Sequence, residues 1–148
     1  MNEVLLFVHI VAGMVWIGGG VLMTLLSMRM AKADAQTRMR FGQESGKLGA
    51  LFGISALVVL LAGITMVLRD ERWDFSQTWV WLALVLIAVS LLVGGAYYGR
   101  TGKRIGAALA DGQSDEADRL TRQMSTVSAV DMVVLFAIVW LMVAKPGA

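Results

Sequence analysis

Four long apolar runs constrain the fold of this chain more than any other feature. They cover residues 5–26, 48–68, 78–99 and 124–144, and only the last contains a formal charge, Asp131. About 20 apolar residues in a helix match a hydrocarbon core roughly 30 Å thick. Non-helical segments would leave backbone polar groups unpaired in lipid. The runs therefore predict an all-α integral membrane four-helix bundle with up-down topology, forming a single transmembrane domain over the whole chain.

The composition excludes several classes of protein. Only 16% of the residues are charged, against roughly 25% in soluble domains. The absence of cysteine rules out disulfides, thiolate metal sites and covalently attached c-type haem. A net charge of +2, with no basic patch interleaved with aromatics, argues against nucleic-acid binding. No phosphate-loop, HExxH, DxDxDG or GxSxG pattern occurs, which argues against a nucleotide triphosphatase or a hydrolase.

The basic residues predict the orientation of the bundle. Ten of the thirteen lysines and arginines lie in the loops 27–47 and 100–123. Short basic loops face the cytoplasm, so both chain termini should lie on the outer side. Helical character is expected in these loops, with 27–40 extending the first helix and 115–123 opening the fourth. Four tryptophans are expected in an aromatic belt at the outer interface: Trp73, Trp79, Trp81 and Trp140.

The first run contains the only histidine, His9. On a helix, His9 shares a face with Gly13 and Trp16, and small residues make that face a groove for a neighbouring helix or a flat ring. His9 is expected about 6–8 Å below the outer boundary. Met66 and Met142 reach a similar depth on outward-running helices. Because imidazole and thioether groups can ligate haem iron or Cu(I), this predicts a haem or copper site in the outer leaflet.

The alternative interpretation of His9 is structural. The imidazole would then bond to a backbone carbonyl or a hydroxyl, and the methionines would serve as packing. A single histidine also means that two-histidine haem ligation requires a homodimer that contributes one His9 from each subunit.

Asp131 is the other polar residue within a run, about two turns from the inner end of the fourth helix. A carboxylate at that depth needs a partner and often marks a functional site. Asp131 is either a proton or cation relay, or a structural residue whose hydrogen bonds join two helices (an interhelical pin). His9 is roughly 12–15 Å away in depth. The expected partners of Asp131 are Thr24, Ser27, Tyr97, Tyr98 and Arg100.

Small residues recur along one face of the second helix and indicate close helix packing. They include the G-x-x-x-G pair Gly49 and Gly53, preceded by Gly46 and followed by Ala56 and Gly63. Such faces also make a homodimer plausible.

The order of these motifs resembles the bacterial four-span integral membrane proteins in the copper-resistance-D-like superfamily. The likeness spans the chain and rests on HIVAGMVWIGGG at 9–20, LVVLLAGITMVL at 57–68, RWDFSQTWVWLAL at 72–84 and VDMVVLF at 130–136. It implies a multi-pass protein of the bacterial inner membrane.

Two relatives in that superfamily suggest roles. Copper-resistance D proteins are linked to copper uptake, and four-span protoporphyrinogen oxidases have a first-span histidine and are thought to bind haem b. After Trp16, however, this chain lacks the basic residue and the second histidine of those oxidases. Three functions follow as hypotheses. They are a haem b-binding, redox-linked protein, a copper- or cation-handling protein, and a cofactor-free accessory subunit of a membrane complex.

Overall fold

The computed structural model describes residues 3–30 and 32–146, and this part of the chain is helical without strands. Four stretches are long and apolar enough to cross a membrane, which confirms the all-α four-helix membrane bundle. The third stretch runs from Thr78 to Ala110 and is continuous through a π-helical segment. The elements are α1 Glu3–Met30, α2 Ala35–Arg69, α3 Thr78–Leu92, the π segment Val93–Tyr98, α4 Gly99–Ala110 and α5 Ser114–Ala144.

The first turn of the bundle differs from the sequence prediction. Residues 27–40 do not extend one helix, because α1 ends at Met30 and α2 begins at Ala35. Asp34 caps α2, and its carboxylate accepts hydrogen bonds from the Thr37 hydroxyl at 2.6 Å and the Thr37 N–H at 3.0 Å. These bonds, the hydroxyl first, lower the pKa of Asp34. An aspartate cap satisfies a free helix N–H, so the chain starts a new helix here.

The turn between α4 and α5 agrees more closely with the prediction that the fourth membrane helix opens at 115–123. The helix α5 begins at Ser114, ahead of the acidic pair that was expected to open it. Gly112 takes a positive φ of 70°, which lets the chain reverse between α4 and α5. Arg38 donates to Asp118 at 2.7 Å and joins α2 to α5 at this end. We call this end, which holds the turns at 32–34 and 111–113, the basic end.

Glycines of α1 set how closely the helices approach. A side chain at Gly19 would overlap the ring of Phe52 on α2. One at Gly20 would touch Met132 on α5 at 3.4 Å. These contacts confirm close packing at α1, where the absence of side chains lets neighbouring helices lie against its backbone.

Most of the small residues along one face of α2, by contrast, do not set the distance to a neighbouring helix. A Cβ added at Gly46, Gly49 or Gly53 would meet no heavy atom within 4 Å. Among the described residues, these glycines do not pack against another helix, contrary to the simplest form of the prediction. Gly63, further along the same helix, does pack, and its neighbour is His9.

The centre of the bundle is a small apolar cluster of Ile87, Leu135 and Ile138, with Trp16 packed against it. On the basic side of this cluster, the π segment Val93–Tyr98 interrupts the third span. Such segments add a residue to one turn, which changes the face that the following helix presents.

Candidate functional site

A cavity of about 360 Å³ lies between α1, α2, α3 and α5. Its lining includes Leu6 near the start of the chain, Trp73 in the 70–77 loop and Lys145 near the end. We call this end of the bundle the terminal end. The lining is largely apolar, with His9 and Lys145 as its ionisable residues. Its size and apolar character are those of sites that bind small molecules or cofactors.

His9 is fixed within this lining by a backbone hydrogen bond. Its Nδ1 lies 2.9 Å from the carbonyl oxygen of Val59 on α2. Because a carbonyl only accepts, the proton sits on Nδ1 and the lone pair is on Nε2. No described residue hydrogen-bonds to Nε2. Histidines that ligate metals commonly have this arrangement, with one ring nitrogen oriented by a carbonyl and the other free to bind.

Gly63 makes that hydrogen bond sterically accessible. It lies one turn beyond Val59, and a Cβ at this position would come within 3.3 Å of His9 Cε1. The imidazole therefore rests on bare α2 backbone. The sequence analysis counted Gly63 among the small residues that allow close helix packing. It missed the contact with His9, because no pattern within α2 reveals which side chain of another helix faces Gly63.

Two methionines predicted from depth lie at the same cavity. Met66 on α2 and Met142 on α5 both line it, so His9 and two thioethers from three helices surround one space. Met14, also considered at the sequence level, is 69% exposed and is not part of the lining.

Gly13 and Trp16 share the helical face of His9 but lie outside the cavity lining. A Cβ at Gly13 would be 3.9 Å from Val59, and Trp16 packs on the central apolar cluster. The groove beside His9 is thus occupied by neighbouring helices. A cofactor-binding role for Gly13 and Trp16 stays a prediction, and their position outside the cavity does not favour it.

The cavity also contains an aromatic pair that sequence reasoning assigned to a membrane belt. The rings of Trp73 and Trp79 meet edge to face with centroids 5.7 Å apart. Lys145 Nζ lies 4.6 Å from the Trp73 centroid and 5.8 Å from that of Trp79. Trp81 and Trp140, by contrast, are largely exposed at the surface of the bundle, as a belt requires.

Trp79 carries an unsatisfied donor. Its side chain is only 4% exposed, and its Nε1 has no hydrogen-bond partner among the described residues. A buried donor without an acceptor costs about 1–3 kcal/mol. The sequence offered no signal for this, since a tryptophan at the start of a span is ordinary.

The loop over the cavity is held by local polar contacts. Arg72 donates to the Asp70 carboxylate at 2.9 and 2.8 Å, and this bond is the main reason that the pKa of Asp70 falls to about 2. Gln77 donates to the Arg72 carbonyl at 3.2 Å. The loop thereby presents Trp73 and Phe75 to the cavity in a defined position.

Asp131 lies outside the cavity lining, toward the basic end. Its carboxylate accepts from the hydroxyl of Ser90, a buried residue of α3 that the sequence prediction missed. Of the expected partners, Thr24 bonds Ser128 at 2.7 Å and Ser27 bonds the Thr24 carbonyl. The remaining expected residues do not hydrogen-bond to Asp131.

Metal chemistry at this cavity would rest on His9 and thioethers. No three His, Cys, Asp or Glu side chains within residues 3–30 and 32–146 group closely enough to hold a metal ion. Soft cations and haem iron accept a single imidazole with thioether, whereas hard divalent cations need several oxygen ligands.

One family model matches the chain, over residues 3–146, and its description is a predicted integral membrane protein, DUF2269. No curated protein and no solved structure matches.

Proposed function

The chain belongs to the DUF2269 family of predicted integral membrane proteins, and from this premise we propose that it binds haem b in the terminal-end cavity, where His9 would hold the iron. The observation that carries the proposal is the His9 imidazole, held by Val59 through Nδ1 and lining a cavity of about 360 Å³. Its free Nε2 is the nitrogen that would ligate iron. The resemblance to the copper-resistance-D-like superfamily supports this assignment only through the first-span histidine, since the chain lacks the basic residue and the second histidine that the four-span protoporphyrinogen oxidases have after Trp16.

The other lining residues fit this group. Met66 or Met142 would supply a thioether as second ligand from the same chain, so the proposal needs no second His9 from a homodimer. The apolar wall would shield a macrocycle from water. Haem would contribute one-electron transfer, and the site would lie at the outer side of a bacterial inner membrane if the basic loops face the cytoplasm.

Cu(I) binding is the second candidate, and a specific observation supports it. His9, Met66 and Met142 border one space, and an imidazole with two thioethers is a soft ligand set suited to Cu(I). The cavity of about 360 Å³ is larger than a single ion requires, and for that reason we place haem ahead of Cu(I).

An absorption spectrum of the protein purified in mild detergent tests the proposal, together with metal analysis of the same sample. We expect a Soret peak and reducible α and β bands in the wild type, and their loss in His9→Ala. Met66→Leu or Met142→Leu should shift the reduced spectrum if that sulfur is the second ligand. Met14→Leu is the matched control, because Met14 is outside the cavity, and it should leave the spectrum unchanged.

The other outcomes discriminate between the candidates. A colourless protein with stoichiometric copper that His9→Ala loses would replace haem with Cu(I). A colourless, metal-free protein after expression with ample haem and copper would refute both. A stable partner retained in gentle detergent would then support the accessory-subunit role.

A further inference from the structure

Asp131 lies within the fourth span without a cationic partner. No lysine, arginine or histidine among residues 3–30 and 32–146 forms a salt bridge with its carboxylate. Its hydrogen bond comes from the hydroxyl of Ser90, which is a neutral donor and does not balance a charge. A charge in hydrocarbon is costly, so a carboxylate at this depth that lacks a cation lowers its free energy by binding a proton.

A row of hydroxyl groups leads from Asp131 toward the basic end. The Tyr98 hydroxyl interacts with the hydroxyl of Ser128 and, electrostatically, with the carboxylate of Asp131. Ser128 Oγ lies 2.7 Å from Thr24 Oγ1 on α1. Because Thr24 donates its own proton to the Gly20 carbonyl at 2.9 Å, Ser128 is the donor in this pair. The Ser128 oxygen is therefore left to accept from Tyr98, and hydroxyls that donate and accept in turn can pass a proton along the row.

The surrounding helices give this row one open direction. The π segment ends at Tyr98, and single π-helical turns within α-helices are frequent at functional sites. Toward the terminal end, Ile87, Leu135 and Ile138 pack together and are no more than 5% exposed. Their side chains have no polar atom that could carry a proton, so Asp131 is connected to the basic end and separated from the terminal-end cavity.

We propose that Asp131 is a proton-binding site that exchanges protons with the basic end through Tyr98, Ser128 and Thr24. The site goes beyond the proposed function and does not rest on it, since no atom of the terminal-end cavity takes part. Sodium fits the row less well than a proton, because two oxygen atoms 2.7 Å apart are hydrogen-bonded directly and leave no room for a cation between them.

Infrared spectroscopy of the full-length protein in lipid vesicles tests the proton on Asp131. The C=O stretch of a carboxylic acid is separate from the bands of carboxylates and backbone amides, so a buried acid is observed directly. We expect an acid band in the wild type at neutral pH, and we expect Asp131→Asn to remove it. Absence of the band would overturn the proposal. Loss of the band on addition of sodium at constant pH would also overturn it, since a cation would then replace the proton.

Hydrogen–deuterium exchange of the same band tests the path. After rapid mixing with heavy water, the acid band shifts as deuterium replaces the proton on Asp131, and its rate of shift measures exchange with solvent. We expect Tyr98→Phe and Thr24→Val each to slow this exchange about tenfold, because each removes one hydroxyl from the row while keeping the size of the side chain.

Tyr97→Phe is the matched control for Tyr98→Phe. Tyr97 packs edge to face against Tyr98 with ring centroids 5.8 Å apart, but its hydroxyl is not part of the row, so exchange should proceed at the wild-type rate. Exchange in both Tyr98→Phe and Thr24→Val that is as fast as in Tyr97→Phe would overturn the path. Neither measurement depends on haem, so these results leave the proposed function to be decided by its own spectrum.

Discussion

At the scale of single residues, the position of His9 depends on a neighbour that has no side chain. The imidazole reaches the Val59 carbonyl because Gly63 leaves the α2 backbone bare. A histidine that ligates a metal is oriented by a hydrogen bond through its second nitrogen. Loss of that hydrogen bond commonly lowers metal affinity by 10- to 100-fold. The site is therefore sensitive to a residue that would never contact a cofactor.

We expect Gly63→Ala to weaken haem binding about tenfold while the protein still folds. The new methyl would lie 3.3 Å from His9 Cε1, so the imidazole has to move by a few tenths of an ångström and its bond to Val59 lengthens. Haem titration followed at the Soret band measures the effect. Gly18→Ala is the control, because no heavy atom lies within 4 Å of its added methyl. Equal affinity in the two variants would contradict the positioning role of Gly63.

At the scale of elements, α3 and α5 are joined by one polar contact across apolar surfaces. Ser90 donates to Asp131, and the cluster of Ile87, Leu135 and Ile138 packs one turn nearer the terminal end. Interhelical hydrogen bonds in membrane proteins contribute about 0.6 kcal/mol on average, with a maximum near 2 kcal/mol. The contact serves as an interhelical pin, and we propose that Asp131 is also a proton or cation site.

Two variants separate these roles of Asp131. Asp131→Asn keeps an acceptor for Ser90, so we expect thermal stability in detergent close to that of the wild type. Asp131→Leu removes the acceptor and should cost about 1 kcal/mol. If Asp131 relays protons, Asp131→Asn abolishes the pH dependence of the haem midpoint potential. An unchanged pH dependence in that variant would leave only the structural role.

At the scale of the whole molecule, the four spans place the start of α1, the end of α5 and the 70–77 loop at one end of the bundle, opposite the basic end. The excess of lysine and arginine near the turns at 32–34 and 111–113 leads us to propose that these turns face the cytoplasm. The terminal-end cavity would then open toward the outer leaflet.

The lack of cysteine in the chain allows this orientation to be tested directly. We expect Ser76→Cys, in the loop over the cavity, to react with a membrane-impermeant maleimide in intact spheroplasts. Gln113→Cys, in a turn at the basic end, should react only after the membrane is permeabilised. The reverse labelling pattern would contradict the proposed orientation and move the cavity to the cytoplasmic side.

Three glycines of α2 that contact no other described helix bear on how the whole molecule associates with lipid or protein. Gly46, Gly49 and Gly53 present bare backbone to the outside of the bundle. Lipid or a second protein can cover such a face equally well, so the homodimer suggested by the sequence stays a proposal.

The sequence by itself determined the four spans and the depth of each residue within them. Apolar run length follows from membrane thickness, and a rise of 1.5 Å per residue sets depth along a helix. Depth was enough to predict that Met66 and Met142 lie level with His9, and the structure brings all three to one cavity.

Only the tertiary structure decided which faces meet. The spans are apolar on nearly every side, so their patterns specify little about rotation around the helix axis. That rotation arises from contacts such as Phe52 over Gly19. It determined that Ser90 bonds Asp131, that Val59 orients His9, and that Trp79 and Lys145 share the cavity wall, because lateral packing between helices, unlike depth, is not encoded within any single span.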